Sequence, residues 1–262
     1  LYLAAGVDPK RVTLFAQSEI PEQTQLAALF SMITPVSMLQ LNPVYKEMIA
    51  ENPHATNLGL LSYPVLQAAD ILAYKASVVP VGKDQLPHLE LSREIARRFN
   101  GRYGKIFPEP ESKLHKDLKI LSLQDPSKKM SKSHGESTQV SLLDTPEMIH
   151  KKIKIAVTDS DKEVRFNMEE KPAISNLIFI MHLASGRSLK QIEHDFIGKG
   201  YGEFKTKVAD SLVSFLKPIQ TQYKELSKNK KLVEKVLTEG SKKAQRVAAK
   251  TLTEAKKKIG MF

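Results

Sequence analysis

Apolar residues come in short solid runs over the first half of the chain and at helical spacing over the second. Residues 12–17 (VTLFAQ) form a short apolar run with a Pro-containing segment before and Ser18 after, which predicts a buried parallel strand. Ser18, Pro21 and Glu22 then resemble a helix start. Residues 26–41 (LAALFSMITPVSMLQL) are apolar almost all round, with a break at Pro35. Such a helix pair must be covered on both sides, as deep core or as a subunit interface, and the pattern slightly favours core. Residues 58–75 read as a second long helix, 78–81 as a short strand, 84–99 as a third helix charged on one side, and 119–123 as a last strand before a Lys/Ser loop. Strand and helix alternating in this order predict an α/β fold with a parallel sheet.

After Asp144 helical periods dominate, at 146–157, 174–184, 189–196, 204–226 and 231–259. Thr145 followed by Pro146 has the form of an N-cap with proline in the first turn. The pattern therefore divides the chain into an α/β domain over 1–143 and an all-α domain over 144–262.

Composition changes this picture little. The 262 residues, 41% of them hydrophobic and 26% charged, are ordinary for a globular protein. The absence of cysteine excludes a disulfide framework, a zinc ribbon and a thiol nucleophile. No run approaches the roughly 18 apolar residues that a membrane-spanning helix needs. The opening LYLAAGVDP lacks a cationic region before an apolar one; it reads as the tail of a helix rather than a signal peptide, so the chain is expected to begin inside a domain. Charge is more informative. Of the net +11, residues 1–143 carry +2 and 144–262 carry +9. An acidic partner, nucleic acid being the commonest, would meet the second half, although lysine-rich solvated helices give the same count.

Three constellations carry chemistry. Residues 128–133 (KKMSKS) place lysines and serines in a loop after a predicted strand, as phosphate neutralisation requires; a solvated basic linker has the same composition. Tyr63, Gln67 and Asp70 are spaced i, i+4 and i+7, and so share one helix face. A carboxylate between Ala69 and Ile71 risks costly burial unless a ligand, a backbone amide or an arginine donates to it. Residues 79–85 (VPVGKDQ) put a glycine turn after a strand and before a helix. There Gly82 allows close backbone approach to a ligand, and Asp84 and Gln85 can meet sugar hydroxyls; Asp84 as a plain N-cap fits equally.

Lys129–Met130–Ser131–Lys132–Ser133 matches the second signature of class I aminoacyl-tRNA synthetases. YPVLQAADIL, then VPVGKDQLPHLELSREIARRFN, then KKMSKS resemble, in that order, the bacterial and organellar type of tryptophanyl-tRNA synthetase. IKIAVTDSD, KPAISNL and GKGYGEFK resemble its C-terminal region, so the likeness covers nearly all of the chain. It implies a Rossmann-type catalytic domain followed by a helical anticodon-binding domain. It also implies activation of L-tryptophan by ATP with Mg²⁺, without a protein-ligated metal, and transfer to tRNA(Trp) by a cytoplasmic or organellar homodimer with no membrane association. On the same footing Asp70 accepts the indole N–H, Tyr63 and Gln67 line the pocket, and Val79 and Val81 wall the indole. Gly82, Asp84 and Gln85 face the ribose and the amino acid. Lys129 and Lys132 hold the ATP phosphates as the catalytic lysines, Met130 lies against adenine, and Ser131 and Ser133 complete the ATP loop. Residues 26–41 then become dimer interface instead of core.

Two departures stand out. No H-I-G-H-type motif is present: His54, His88 and His134 lie in unrelated contexts. In the family that motif precedes the segment where this chain starts, so the first strand, its glycine turn and the next helix are expected to be missing, and adenylate formation by residues 1–262 alone is not expected. Met48 also stands where many relatives have a lysine that meets pyrophosphate. The alternatives are a tyrosyl-tRNA synthetase, which also uses Gln and Asp on this helix, and a non-catalytic tRNA-binding fragment or paralogue.

Overall fold

The chain divides into two units, one joining Asp8–Lys116 to Lys231–Phe262, the other joining Leu1–Val7 to Asp117–Lys230. The computed structural model describes residues 1–114 and 119–261.

The first unit starts with helices α1 (Pro21–Ser31), α2 (Val36–Gln40), α3 (Pro43–Glu51) and α4 (Leu58–Leu72). The break foreseen at Pro35 separates α1 from α2, since proline favours a helix start and supplies no amide. Asn57 caps α4, its side chain accepting from the Leu60 amide at 2.9 Å. Strand β1 (Val78–Val81) leads through a 3-10 turn into α5 (Leu86–Tyr103) and then to strand β2 (Glu111–Leu114). The two strands pair in parallel, Val78 opposite Glu111 and Val81 opposite Leu114. The core is built from Leu26, Phe30, Leu72, Ile95, Phe99 and Phe107, with Phe30, Phe99 and Phe107 meeting edge to face.

Two strand expectations fail. Residues 13–16 have no regular secondary structure, with Ala16 extended, and join no sheet among the described residues; Val12 is half exposed. A run of this kind becomes a strand only where a neighbouring backbone completes its hydrogen bonds. This one lies against helix α10 (Lys230–Lys258), where a β-carbon on Gly240 would stand 1.8 Å from the Leu14 carbonyl oxygen. Residues 119–123 form a single antiparallel bridge, Leu121 with Lys129, rather than a strand of the parallel sheet. β2 went unforeseen because ESKL is polar and mostly exposed, with no apolar run to mark it.

The second unit contains α6 (Pro146–Ile155), α7 (Pro172–Ser185), α8 (Leu189–Asp195) and α9 (Tyr201–Lys228). Thr145 caps α6 as expected, accepting from the Met148 amide at 3.3 Å. Ile149, Ile153, Ile174, Leu177, Phe204, Val208 and Leu216 form its core. The three segments that resemble the family's C-terminal region meet at one buried cation. Lys171 donates to the Glu163 carbonyl at 2.8 Å and the Tyr201 hydroxyl at 3.0 Å, and pairs with Asp161 at 2.9 Å. Burial alone would depress the Lys171 pKa, but the bonds to Asp161 and Tyr201 and the charge of Asp159 outweigh it and raise the pKa.

These units do not follow the expected division at residue 143. The loop 128–133 lies in the unit of helices α6 to α9, and α10 lies with α1, α4 and α5. α10 buries Gly240, Ala244, Ala248, Leu252 and Ala255, a stripe of mostly small side chains that admits close packing. The charge moves with it. Residues 231–262 hold nine Lys and Arg against three Glu, so +6 of the C-terminal +9 belongs to the first unit.

Candidate active site

α4 is an unusually apolar helix whose buried face is Pro64, Val65, Ala68, Ala69 and Leu72. Tyr63, Gln67 and Asp70 lie beside that face, each partly buried. The fate of the Asp70 carboxylate is the main finding. Among the described residues, neither an arginine nor a backbone amide meets it. The Gln17 side-chain amide donates to Oδ2 at 2.7 Å, while Oδ1 is fully buried with no hydrogen-bond partner. Burial raises the Asp70 pKa and the Gln17 bond partly offsets it. A buried acceptor left open costs about 1–3 kcal/mol, so the fold holds Oδ1 ready for a donor it does not itself supply.

The surroundings keep a negative charge there unrewarded. The Tyr74 hydroxyl, also buried without a partner, is pushed up to about 12 by burial and then by the charges of Asp70 and Glu22. Tyr74 is fixed by a tilted ring contact with Phe15, centroids 5.5 Å apart.

At the other end of the helix face, the Tyr63 hydroxyl is 3.1 Å from His88 Nε2, and the rings meet edge to face at 5.3 Å. His88 is buried on α5, where burial lowers its pKa against the pull of Asp84, and its ring packs against that of Tyr63. The same hydroxyl lies 3.9 Å from the sulfur of Met48, which places that methionine beside Tyr63.

The β1–α5 turn approaches α4 through a polar chain. Gln67 Nε2 donates to Gln85 Oε1 at 3.4 Å, and Gln85 Nε2 donates to Asp84 Oδ2 at 2.9 Å. Asp84 does not cap α5, which starts without a side-chain cap bond. Gly82 has φ −72°, open to any residue; what its missing side chain leaves room for is the Asp84 carboxylate, 2.5 Å from where a β-carbon would stand. Val79 and Val81 share one face of β1 and are partly buried, whereas Val78 and Pro80 are exposed.

Lys129, Met130, Ser131, Lys132 and Ser133 lie in the other unit. There Asn176 of α7 grips the Leu121 backbone, accepting from its amide at 2.8 Å and donating to its carbonyl at 2.9 Å. The Met130 amide donates to the Ile120 carbonyl at 2.9 Å, and the Met130 side chain packs on the apolar cluster. The Ser131 and Ser133 hydroxyls are 2.7 Å apart. Lys128 pairs with Asp125, but Lys129 and Lys132 are exposed and form no ion pair among the described residues. The loop is thus anchored at its methionine and presents two uncommitted cations.

The sequence pattern missed Gln17 and His88. Gln17 is joined to Asp70 across 53 residues and His88 to Tyr63 across 25, and no spacing rule links such pairs.

The family model for class I tRNA synthetases (W and Y) matches residues 1–217. The tryptophan–tRNA ligase of Halalkalibacterium halodurans is 47% identical over 263 residues, covering 100% of this chain and 79% of that protein. The crystal structure of tryptophanyl-tRNA synthetase from Mycoplasma pneumoniae superposes with a TM-score of 0.85 at 33% identity, over 98% of this chain and 79% of that one. The Campylobacter jejuni tryptophanyl-tRNA synthetase, complexed with ADP and tryptophan, gives a TM-score of 0.84 at 31% identity, over 99% and 80% of the two chains.

Proposed function

The chain belongs to the class I tRNA synthetases of the W and Y type, and we propose that it joins tryptophan to its tRNA. It is a tryptophan–tRNA ligase. The carboxylate of L-tryptophan attacks the α-phosphorus of ATP, pyrophosphate leaves, and the tryptophanyl group then passes from the adenylate to the 3′ end of tRNA(Trp) with release of AMP.

The observation that supports tryptophan as the amino acid is the buried, unpartnered Oδ1 of Asp70. An indole has a flat apolar body and a single N–H, the one donor such an acceptor lacks. In this reading Tyr63 and Gln67 line the pocket, and Val79 and Val81 wall the ring. Gln85 meets the amino acid, and Gly82 and Asp84 meet the ribose. The segment Lys129–Met130–Ser131–Lys132–Ser133 binds ATP, with the two lysines on the phosphates. No side-chain nucleophile is needed. A lysine about 4 Å from a unit negative charge contributes about 4 kcal/mol at the dielectric of a partly shielded site. The contribution counts most on the oxygens that gain charge as pyrophosphate departs. Magnesium belongs to the proposal as the hard cation that favours phosphate oxygens. In this reading it is held by the ATP phosphates rather than by the protein.

The proposal includes a homodimer and a cytoplasmic or organellar-matrix location. For the dimer, residues 26–41 divide between two roles: Leu26 and Phe30 are core, while Met32, Val36 and Leu41 stand more than half exposed. No helix among the described residues is long and apolar enough to cross a membrane.

The test is amino-acid-dependent exchange of pyrophosphate into ATP by the natural full-length protein. Exchange that requires tryptophan, ignores tyrosine and is followed by charging of tRNA(Trp) is expected. Exchange driven by tyrosine, or tRNA binding without exchange, would overturn the reading.

A further inference from the structure

A carboxylate presents two equivalent oxygens, and rotation of its end group exchanges them. In Asp70 they are not equivalent: Oδ2 is held by Gln17 at 2.7 Å, and Oδ1 is buried and open. From this asymmetry we infer that Gln17 is a positioning residue, which fixes the carboxylate of Asp70 and leaves Oδ1 as the acceptor for the indole N–H. The inference rests on the tryptophan reading above.

Gln17 is suited to this by how its backbone is held. It begins a 3-10 turn in which the Ile20 amide donates to the Gln17 carbonyl at 3.0 Å and the Glu19 amide to the Ala16 carbonyl at 3.1 Å. Ile20 is buried in the core, 1% exposed, and anchors the end of the turn. Upstream, Leu14 rests directly on the α10 backbone at Gly240. The side chain that reaches Asp70 therefore projects from a segment fixed at both ends. The amide donor is also neutral. It holds the carboxylate without quenching its charge, so the open oxygen stays a strong acceptor; an arginine in the same place would compete with the indole for it.

The other ionisable groups around Asp70 offer no substitute. Tyr74, which follows α4, and Glu22 on α1 form no hydrogen bond to it, and Glu22 adds negative charge to the cluster. His88 on α5 is engaged with Tyr63. Removing the Gln17 donor should then do two things. It frees the carboxylate to rotate, and it moves the Asp70 pKa further in the direction in which burial already pushes it, upward.

The experiment compares the parent with Gln17→Met, which keeps length and loses the donor. Both proteins are the natural full-length chain, and binding is read by calorimetry, which serves a ligand with or without the indole. Two ligands are titrated from pH 4.5 to 8: tryptophan, and its benzothiophene analogue, which keeps the shape and lacks the N–H. In Gln17→Met the tryptophan Kd should rise about 10-fold at neutral pH, the size of one charge-assisted hydrogen bond held in poor geometry. The acid limb of tryptophan affinity should move to higher pH, because a carboxyl with a raised pKa protonates earlier as pH falls. Affinity for the analogue, KM for ATP and the melting temperature should stay at parent values. A parent that binds both ligands equally would overturn the Asp70 reading itself. A parent that discriminates, with a Gln17→Met variant of the same Kd, pH limb and discrimination, would overturn the role of Gln17 alone. A variant that loses both ligands and melting temperature together would make Gln17 structural, against the proposal.

Discussion

Replacing Asp70 by Asn tests the site with little change of shape. The substitution keeps an oxygen able to accept from indole but removes the charge. Hydrogen bonds to charged groups contribute about 1.5–3 kcal/mol net, against about 1 kcal/mol for neutral pairs. If the amide also turns its NH₂ towards the ligand, the whole bond is lost. The expected cost is therefore up to about 3 kcal/mol, a rise in tryptophan Kd of about 10- to 150-fold. The ATP requirement should change far less. The structure adds a second expectation of opposite sign. The folded-state pKa of Asp70 is raised, so its ionised form is less stable in the fold than in the unfolded chain. That penalty is present above the folded-state pKa and vanishes below the unfolded one. Without ligand, Asp70→Asn should thus be as stable as the parent or more so at pH 7, and the difference should disappear towards pH 3. Calorimetric titration with tryptophan gives the first quantity and urea unfolding at the two pH values the second. Loss of stability at pH 7 without ligand, with unchanged tryptophan affinity, would mean that Asp70 is a structural carboxylate and would refute the reasoning.

Lys129→Ala and Lys132→Ala, made in the natural full-length protein, should each lower the rate of tryptophan-dependent pyrophosphate exchange by about 10-fold or more, with tryptophan affinity unchanged, the mark of an interaction made in the transition state. Parent rates in both would reduce the loop to a linker. Gly240→Ala should destabilise the first unit by about 1–3 kcal/mol or more, despite alanine's better helix propensity, because its β-carbon would stand 1.8 Å from the Leu14 carbonyl oxygen; an unchanged melting temperature would show that this packing yields freely. On α10, Lys242, Lys243, Arg246 and Lys250 are exposed and form no ion pair among the described residues. Changing Lys243, Arg246 and Lys250 to Ala should weaken tRNA binding and lower the slope of log K against log salt by about one for each phosphate no longer neutralised. An unchanged slope would leave α10 a solvated surface.

How much was legible in the sequence follows from the range of the forces involved. Helices α4, α5, α6, α7 and α9 were readable within a few residues because their apolar periods, caps and prolines act within one or two turns. The Tyr63, Gln67 and Asp70 face was readable for the same reason, and the K-M-S-K-S segment because five contiguous residues suffice to mark it. Strands were not readable in this way. VTLFAQ has every local sign of a strand, yet it lies on α10 rather than in a ladder, while the polar ESKL pairs with β1. Strand formation depends on a distant backbone that local pattern does not specify. The same limit governs α10. Its amphipathic stripe was plain, but its partner helices lie far upstream in the chain, and only packing assigns it, with most of the C-terminal charge, to the first unit. At the site, the sequence placed a carboxylate where burial would be costly. The tertiary structure alone decided how that cost is divided, with one oxygen satisfied by Gln17 and the other left open, because a hydrogen bond spanning 53 residues leaves no trace in spacing.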